Sequence, residues 1–333
     1  MNADEENRSR LSGLFEGVAA AKDRRIAVMG SMNVDYTVVT ERLPQPGETV
    51  TGGPLQVLPG GKSANQAAAA GRLGAGVTML GMVGSDDSGA FLIDQLKDAR
   101  VDTSSIAAME GPSGSTVITV DAAGENTIVY SAGANAQVSV DYVTSHSQAI
   151  QSAAVLGLCL ESPLDAVIAA ATVAHKAGIP VLLNDSPFLA DLPADLIANT
   201  DILLVNEHEV AQLLGIDVDG SRTDIAYWRP VGEKLQGFGY SQAIVTLGSH
   251  GAVVLDGDRL SHVPALSVEA VDTTGCGDSF MGSVLAGTCA GLSLEDSAFM
   301  ASYVAAYAAC GMGAQASYGS AWQVLEYFFP ESR

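Results

Sequence analysis

The sequence is short of positive charge. Sixteen Lys and Arg stand against 38 Asp and Glu in 333 residues, a formal net charge of −22. Nucleic acid and anionic membrane surfaces are met by basic stripes, so the balance argues against both as partners. A phosphate-bearing ligand would be repelled by the overall field and would have to be held by local N–H groups. Cysteine is scarce as well. Cys159, Cys276, Cys289 and Cys310 lie far apart with no CxxC and no His/Cys cluster, which argues against a zinc module or a disulfide framework. Free thiols in a reducing cytoplasm are the plain reading. The N-terminus, MNADEENRSR, has no apolar signal core. One stretch without Asp, Glu, Lys or Arg, Ser297 to Leu325, is built from Ala, Ser, Gly and Tyr and is interrupted by Gly311 and Gly313. It reads as a buried helix followed by a loop, not as a membrane span. No G-x-G-x-x-G follows an apolar strand, which argues against a nicotinamide enzyme.

What the chain does have is rhythm. At 47% hydrophobic it can bury a large core. Residues 1–24 read as a polar extension, with a loose amphipathic helix around Leu11–Ala21. A short apolar strand opens at Arg25–Gly30. Further apolar runs of parallel-sheet character follow at Val77–Val83, Ala154–Leu160, Pro180–Leu183, Ile202–Val205, Ala243–Leu247 and Ala252–Leu255. Helical patterns lie between them at Ala64–Leu73, Ala90–Ala99, Pro163–Ala177, Glu207–Leu214 and Val231–Phe238. The alternation predicts an α/β fold, a parallel sheet with helices on both faces. Two segments, 34–58 and 115–131, break the rhythm with strand-like alternation and no helix between. They predict a small second β-sheet inserted from the main domain, placed to act as a lid.

The richest motif is Asp272-Thr273-Thr274-Gly275-Cys276-Gly277-Asp278-Ser279-Phe280, which runs straight into a small-residue helix. Glycines let the backbone approach a ligand. The first N–H groups of a helix lack internal partners and favour an anion. A carboxylate beside a bound phosphate is a poor binder but a sensible proton acceptor for an attacking hydroxyl. Together these point to phosphoryl transfer to an alcohol. The competing reading is that Asp278 simply caps the helix, as Asp often does.

A tempting false friend is Gly60-Gly61-Lys62-Ser63, since a P-loop ends in Gly-Lys-Ser. That motif needs a glycine at position 56, which is Gln, and the preceding segment belongs to the lid. The stretch does supply a helix start bearing Lys62 and Asn65, which can hydrogen-bond a small polyol. Polar residues also recur at the C-terminal ends of strands, where ligands of open α/β sheets sit. Asn33 and Asp35 follow the first strand, Glu161 follows Ala154–Leu160, and Asn206 with Glu209 follows Ile202–Val205. Singly, each reads as a turn residue or cap; together they define one crevice. Thr246-Leu247-Gly248-Ser249-His250-Gly251 is a second glycine turn, placed to hold nucleotide phosphates.

Seven separated pieces then occur in one family's order: Gly30–Asp35, Pro46–Val50, Gly60–Gln66, Leu160–Pro163, Val205–Glu209, Thr246–Gly248 and Asp272–Asp278. From about residue 25 to 330 the chain resembles the ribokinase family of carbohydrate kinases, which implies a Rossmann-like, mostly parallel sheet with helices on both faces and a small β-sheet lid. The resemblance implies ATP-dependent phosphorylation of a sugar, D-ribose at its 5-hydroxyl, with Asp278 as general base and Gly275, Cys276 and Gly277 as anion hole. It implies that Asn33, Asp35, Gly61, Lys62, Asn65 and Glu161 hold the sugar. It puts Asn206 and Glu209 on the nucleotide and Mg2+ side, with Thr246, Gly248, Ser249, Gly251 and Gly277 at ATP. A potassium site is implied at Asp272, Thr274, Ala308, Gly311, Gly313 and Ser317. So are a homodimer formed through the lid and a cytoplasmic location. Ser63 and Cys276 depart from the family's usual small residues without removing chemistry. The rival readings are a nucleoside kinase or another sugar kinase of the family and, from another class, a non-catalytic sugar-binding homologue. Lys62 and Glu161 suit a free sugar's hydroxyls and argue against the nucleoside.

Overall fold

The structure, a computed structural model, describes residues 3–330. Thirteen strands are β1 (Arg25–Met29), β2 (Asn33–Val39), β3 (Gln56–Gly60), β4 (Gly76–Gly84), β5 (Val101–Met109), β6 (Gly114–Val120) and β7 (Asn126–Ser131), then β8 (Val155–Cys159), β9 (Val181–Asn184), β10 (Ile202–Asn206), β11 (Gln242–Thr246), β12 (Ala252–Asp256) and β13 (Arg259–Val263). Nine form one sheet in the order β13-β12-β11-β10-β9-β8-β1-β4-β5. Its pairs are parallel from β11 to β5, and β12 and β13 add an antiparallel edge. The remaining four form a small sheet, β3-β2-β6-β7. The α/β fold and its second sheet are therefore as the residue pattern predicts.

Both faces of the main sheet are covered, which is why its strands read as unbroken apolar runs. Along β1, Ile26 and Val28 point into one core and Ala27 and Met29 into the other. The first core is closed by the helices Lys62–Arg72, Cys276–Ala290 and Leu294–Ala309. The second is closed by helices that include Leu164–Lys176 and Ile225–Phe238.

Some elements differ from expectation. β5 carries Asp102, Thr103, Ser104 and Ser105, and as an outer strand of the sheet it shows no apolar signature. The helix expected from Val231 begins at Ile225 and contains Pro230. The uncharged C-terminal stretch runs from inside one helix, Leu294–Ala309, into a second, Ala321–Phe328, through a segment with a short turn at Ala314–Ser317. The leader forms a helix over Ala3–Ala20, longer than the loose one expected from Leu11. Leu11, Leu14, Phe15 and Val18 lock it into the first core. Arg10 adds a bond to Asp296 and lies 4.0 Å over the Phe299 ring.

Strand order reverses between β1 and β8, because β4 lies on one side of β1 and β8, β9 and β10 on the other. Open α/β sheets bind ligands in the crevice at the carboxyl ends of such a pair. Ser31 follows β1 there and Glu161 follows β8; the Ser31 hydroxyl donates to Glu161 Oε2 at 2.5 Å.

Candidate active site

Two small-residue helices place the central carboxylate. Lys62–Arg72 reads KSANQAAAAGR, and Cys276–Ala290 reads CGDSFMGSVLAGTCA. A Cβ on Gly282 would fall 2.4 Å from the Gln66 carbonyl oxygen, so only glycine lets the two backbones approach this closely. The approach brings Asp278 against the first turn of the partner helix. Asn65 Nδ2 donates to Asp278 Oδ2 at 2.9 Å, and Gln66 Nε2 donates to Oδ1 at 3.3 Å. Gln315 Nε2 holds Asn65 in turn, donating to its Oδ1 at 3.0 Å. Asp278 is 9% exposed. Burial pushes its carboxyl up to about 6; Lys62 and the two amides oppose the rise and Glu161 adds to it. A buried carboxylate raised in this way is a base matched to neutral pH.

Lys62 lies among acids. Burial works against its charge, yet Asp278 and Glu161, with Cys159 and Glu209 behind them, raise its pKa above the ordinary value. Its backbone N–H donates to Glu161 Oε2 at 3.1 Å. The ammonium forms no ion pair among the described residues, which leaves it as local positive charge inside a strongly acidic molecule.

The small sheet contributes the opposite wall. β2 starts at Asn33, pairs with β3 and β6, and carries Asp35 toward Thr116, whose hydroxyl donates to Asp35 Oδ1 at 2.5 Å. Asp35 is raised by burial, against the Thr116 bond and with a further push from Glu161. Asn33 is buried, and its Oδ1 accepts from Asn135 Nδ2 at 2.8 Å. Asn135 also bonds both backbone groups of Met32, at 3.0 and 3.1 Å, and so fixes the link between the two sheets. Gly61 opens the helix that carries Lys62 and Asn65.

A cavity of about 480 Å³ opens beside the helix start and is lined by Thr246, Gly248, Ser249, Gly251, Cys276 and Gly277, with Leu266, Val268 and Ala305 among its apolar surfaces. The turn after β11 and the start of the Cys276–Ala290 helix thus share one chamber. Within the Asp272–Asp278 motif, the Cys276 N–H donates to Thr273 O at 3.2 Å. The N–H groups of Gly275, Gly277 and Asp278 have no acceptor among the described residues.

Asn206 and Glu209 form a capping box. Asn206 Oδ1 accepts from the N–H groups of His208 and Glu209, each at 2.8 Å, and Glu209 Oε2 accepts from Asn206 N at 2.8 Å. One carboxylate oxygen of Glu209 lies outside the cap. The Glu209 carboxyl is raised by burial, against its bond from Asn206 and the pull of Lys62.

Asp272 ties two loops together, accepting from Thr274 N and from Gly313 N, each at 2.9 Å. Those two bonds outweigh its partial burial and hold its pKa down. Gly311 N donates to Ala308 O at 3.1 Å, and the Ser317 hydroxyl donates to Ala314 O at 2.9 Å. The six residues of the expected cation site therefore lie on two segments that these bonds join.

Some residues at the site carry little sequence signal. Asn135 and Gln315 are buried amides outside every motif, and Gln66 closes the Gly60–Gln66 piece without anything in the sequence tying it to Asp278. Asp185, just past β9, is fully buried, has a solvent-excluded Oδ2 without a partner, and is pushed up to about 6 by burial, with Glu209 adding to the rise.

A chamber of about 480 Å³, a buried carboxylate on the helix whose start borders it and a polar crevice beside them fit a phosphotransferase with an alcohol acceptor. Residues 23–320 match the pfkB family carbohydrate kinases. Ribokinase of Schizosaccharomyces pombe is 38% identical over 308 residues, 90% of this chain and 96% of that protein. Deoxyribokinase of Salmonella typhi is 34% identical over 303 residues, 91% of this chain and 98% of that protein. Among solved structures, Arabidopsis thaliana ribokinase complexed with ribose and ATP superposes with a TM-score of 0.84 at 28% identity, covering 92% of this chain and 99% of that one. The chain belongs to the pfkB family of carbohydrate kinases.

Proposed function

We propose that this protein is an ATP-dependent kinase of D-ribose, producing D-ribose 5-phosphate. The observation that carries the reading is Asp278, buried, raised to about 6 and set at the start of a helix that also borders the chamber. Ribose lies in the crevice between the sheets, held by Asn33, Asp35, Gly61, Lys62, Asn65 and Glu161. ATP fills the chamber along Thr246, Gly248, Ser249 and Gly251, with its γ-phosphate at the turn Gly275-Cys276-Gly277, where the Gly275 and Gly277 N–H groups have no acceptor among the described residues and the Cys276 N–H is shared with Thr273 O.

The sugar's 5-oxygen attacks the γ-phosphorus as its proton passes to Asp278. A C–O–P bond forms, the bond from the γ-phosphorus to the bridging oxygen breaks, and ADP leaves with that electron pair. Such transfers depend on positioning and charge stabilisation more than on covalent chemistry. The helix start and Lys62 supply charge where the overall field of −22 does not. The lid that carries Asp35 keeps water from competing with the sugar.

The groups present also suit the expected ions. Mg2+ takes oxygen ligands; Glu209 has an oxygen outside its cap, in a buried setting where a divalent cation would relieve the cost of its charge. When bound, the ion would neutralise phosphate charge. Potassium would be held by Asp272, Thr274, Ala308, Gly311, Gly313 and Ser317, by backbone carbonyls and one carboxylate.

Residues 25–330 form the kinase unit on this reading, with lid segments 34–58 and 115–131, and the reaction runs in the cytoplasm. Among the described residues no helix is long and apolar enough to cross a membrane. A second copy covers the lid: β7 is an edge strand exposed along its length, and Val117, Ile128, Val129 and Tyr130 leave apolar surface open there. Val129→Asp is expected to convert a dimer to monomer in light scattering; an unchanged mass rejects that interface.

The test of the activity is turnover on ribose, deoxyribose, fructose and adenosine, with ATP and Mg2+, with and without potassium. Ribose is expected to be preferred and potassium to stimulate. A preference for adenosine would reject the assignment of Lys62 and Glu161 to a free sugar.

A further inference from the structure

We infer that Tyr318 is a positioning residue for phosphoryl transfer, locking the turn that presents the phosphate-binding N–H groups. The inference rests on the reading of residues 275–277 as an anion hole. Tyr318 follows the short turn Ala314–Ser317 and is 3% exposed. Its hydroxyl donates to the Gly275 carbonyl at 2.8 Å. That carbonyl also accepts the first helical bond, from Ser279 N at 2.8 Å. A carbonyl oxygen has two lone pairs, and here both are engaged.

The second bond matters because of the backbone it holds. Gly275 has φ 75°, in the left-handed region where glycine is least restrained. A single helical bond leaves such a residue free to swing at the helix start. The phenol removes that freedom and fixes the bearing of the Gly277 and Asp278 N–H groups and of the Asp278 side chain. The fit is close: a Cβ on Gly275 would lie 2.5 Å from the Tyr318 hydroxyl and 2.6 Å from Ala314 Cβ.

The strut is anchored at its far side. Arg72 Nη1 donates to the Tyr318 carbonyl at 2.9 Å, and Arg72 ends the same helix whose first turns carry Lys62, Asn65 and Gln66. One helix therefore steadies Asp278 directly at its start and, through Tyr318, steadies the turn before Asp278 from its end. Burial, with Asp278 and Cys276 adding, keeps the phenol's pKa well above its ordinary value, so it remains a donor across working pH. A tyrosine buried only for packing would also need an acceptor; the choice of the Gly275 carbonyl is what ties this one to the reaction.

Tyr318→Phe removes the hydroxyl and leaves the ring. The expected result is a fall in kcat of about 10- to 100-fold, since a misplacement of about 1 Å at a reacting centre can cost about 10²-fold, with KM for sugar and ATP unchanged within error. Amide exchange across 274–279 should also quicken. A parental kcat overturns the inference, as does a loss carried by KM alone, which would put the hydroxyl in ground-state binding. If Tyr318→Phe does not fold, Arg72→Lys is read by the same split of kcat from KM, and a parental kcat there overturns the inference equally. Asp278→Asn is measured beside them. If it too keeps parental turnover, the failure lies with the reading of the site; if it loses turnover while Tyr318→Phe does not, Tyr318 alone is rejected.

Discussion

Asn65 and Asp278, 213 positions apart in sequence, meet at 2.9 Å with the amide donating to the carboxylate. The bond favours the charged form of Asp278, while burial favours the neutral form, and burial wins. The candidate base is therefore held in a balance that solution and mutation can each move.

The pH dependence follows. A base must be deprotonated to accept a proton, so kcat/KM should fall about tenfold per unit as pH drops below about 6, the value burial gives Asp278. An ordinary exposed aspartate would place that limb near 4. Stability runs the other way. Between about 4 and 6 the folded state binds the proton more tightly than the unfolded chain, so this residue's contribution falls as pH rises through that window. The full cost above pH 6 is about 3 kcal/mol by the size of the shift. Asp278→Asn should then gain relative stability from pH 4 to pH 7 in urea titrations, and a flat difference between the proteins would contradict this.

Asn65→Ala removes one donor from Asp278 and leaves the buried Gln315 amide without its acceptor. The stranded group should cost about 1–3 kcal/mol in denaturant unfolding. The acid limb of kcat/KM should move to higher pH, because the charged carboxylate loses support. A limb that stays in place would separate Asn65 from the base.

The N-terminal helix lies outside the family match yet is part of the core. Phe15 is 3% exposed, so Phe15→Ala should cost about 3–5 kcal/mol. Arg10 makes a partly exposed ion pair with Asp296, and Arg10→Ala should cost about 1 kcal/mol or less. Thermal unfolding of both variants checks the contrast, and equal losses would contradict it.

How much of this was legible in the sequence depends on where each residue sits. Asn33, Asp35, Glu161, Asn206 and Asp278 follow apolar runs or open a helix, so position along the chain marks them. Gln66, Asn135, Gln315 and Tyr318 carry no such mark. Gln315 meets Asn65 across 250 positions, and only the packing of distant elements makes that pair. Val101–Met109 leaves no strand signature because an outer strand need not be apolar on both faces. The leader's Leu11, Leu14, Phe15 and Val18 show helical spacing, but nothing in that spacing reveals the helices they pack against.

The most direct test of the account is the turnover of Asp278→Asn on ribose with ATP and Mg2+, followed by 31P NMR, with ribose binding measured on the same preparation. The account predicts that the ribose phosphate signal appears about 10²–10⁴ times more slowly, the worth of a positioned base, while the variant still binds ribose. Near-parental turnover in the folded variant would contradict it and remove Asp278 from the chemistry.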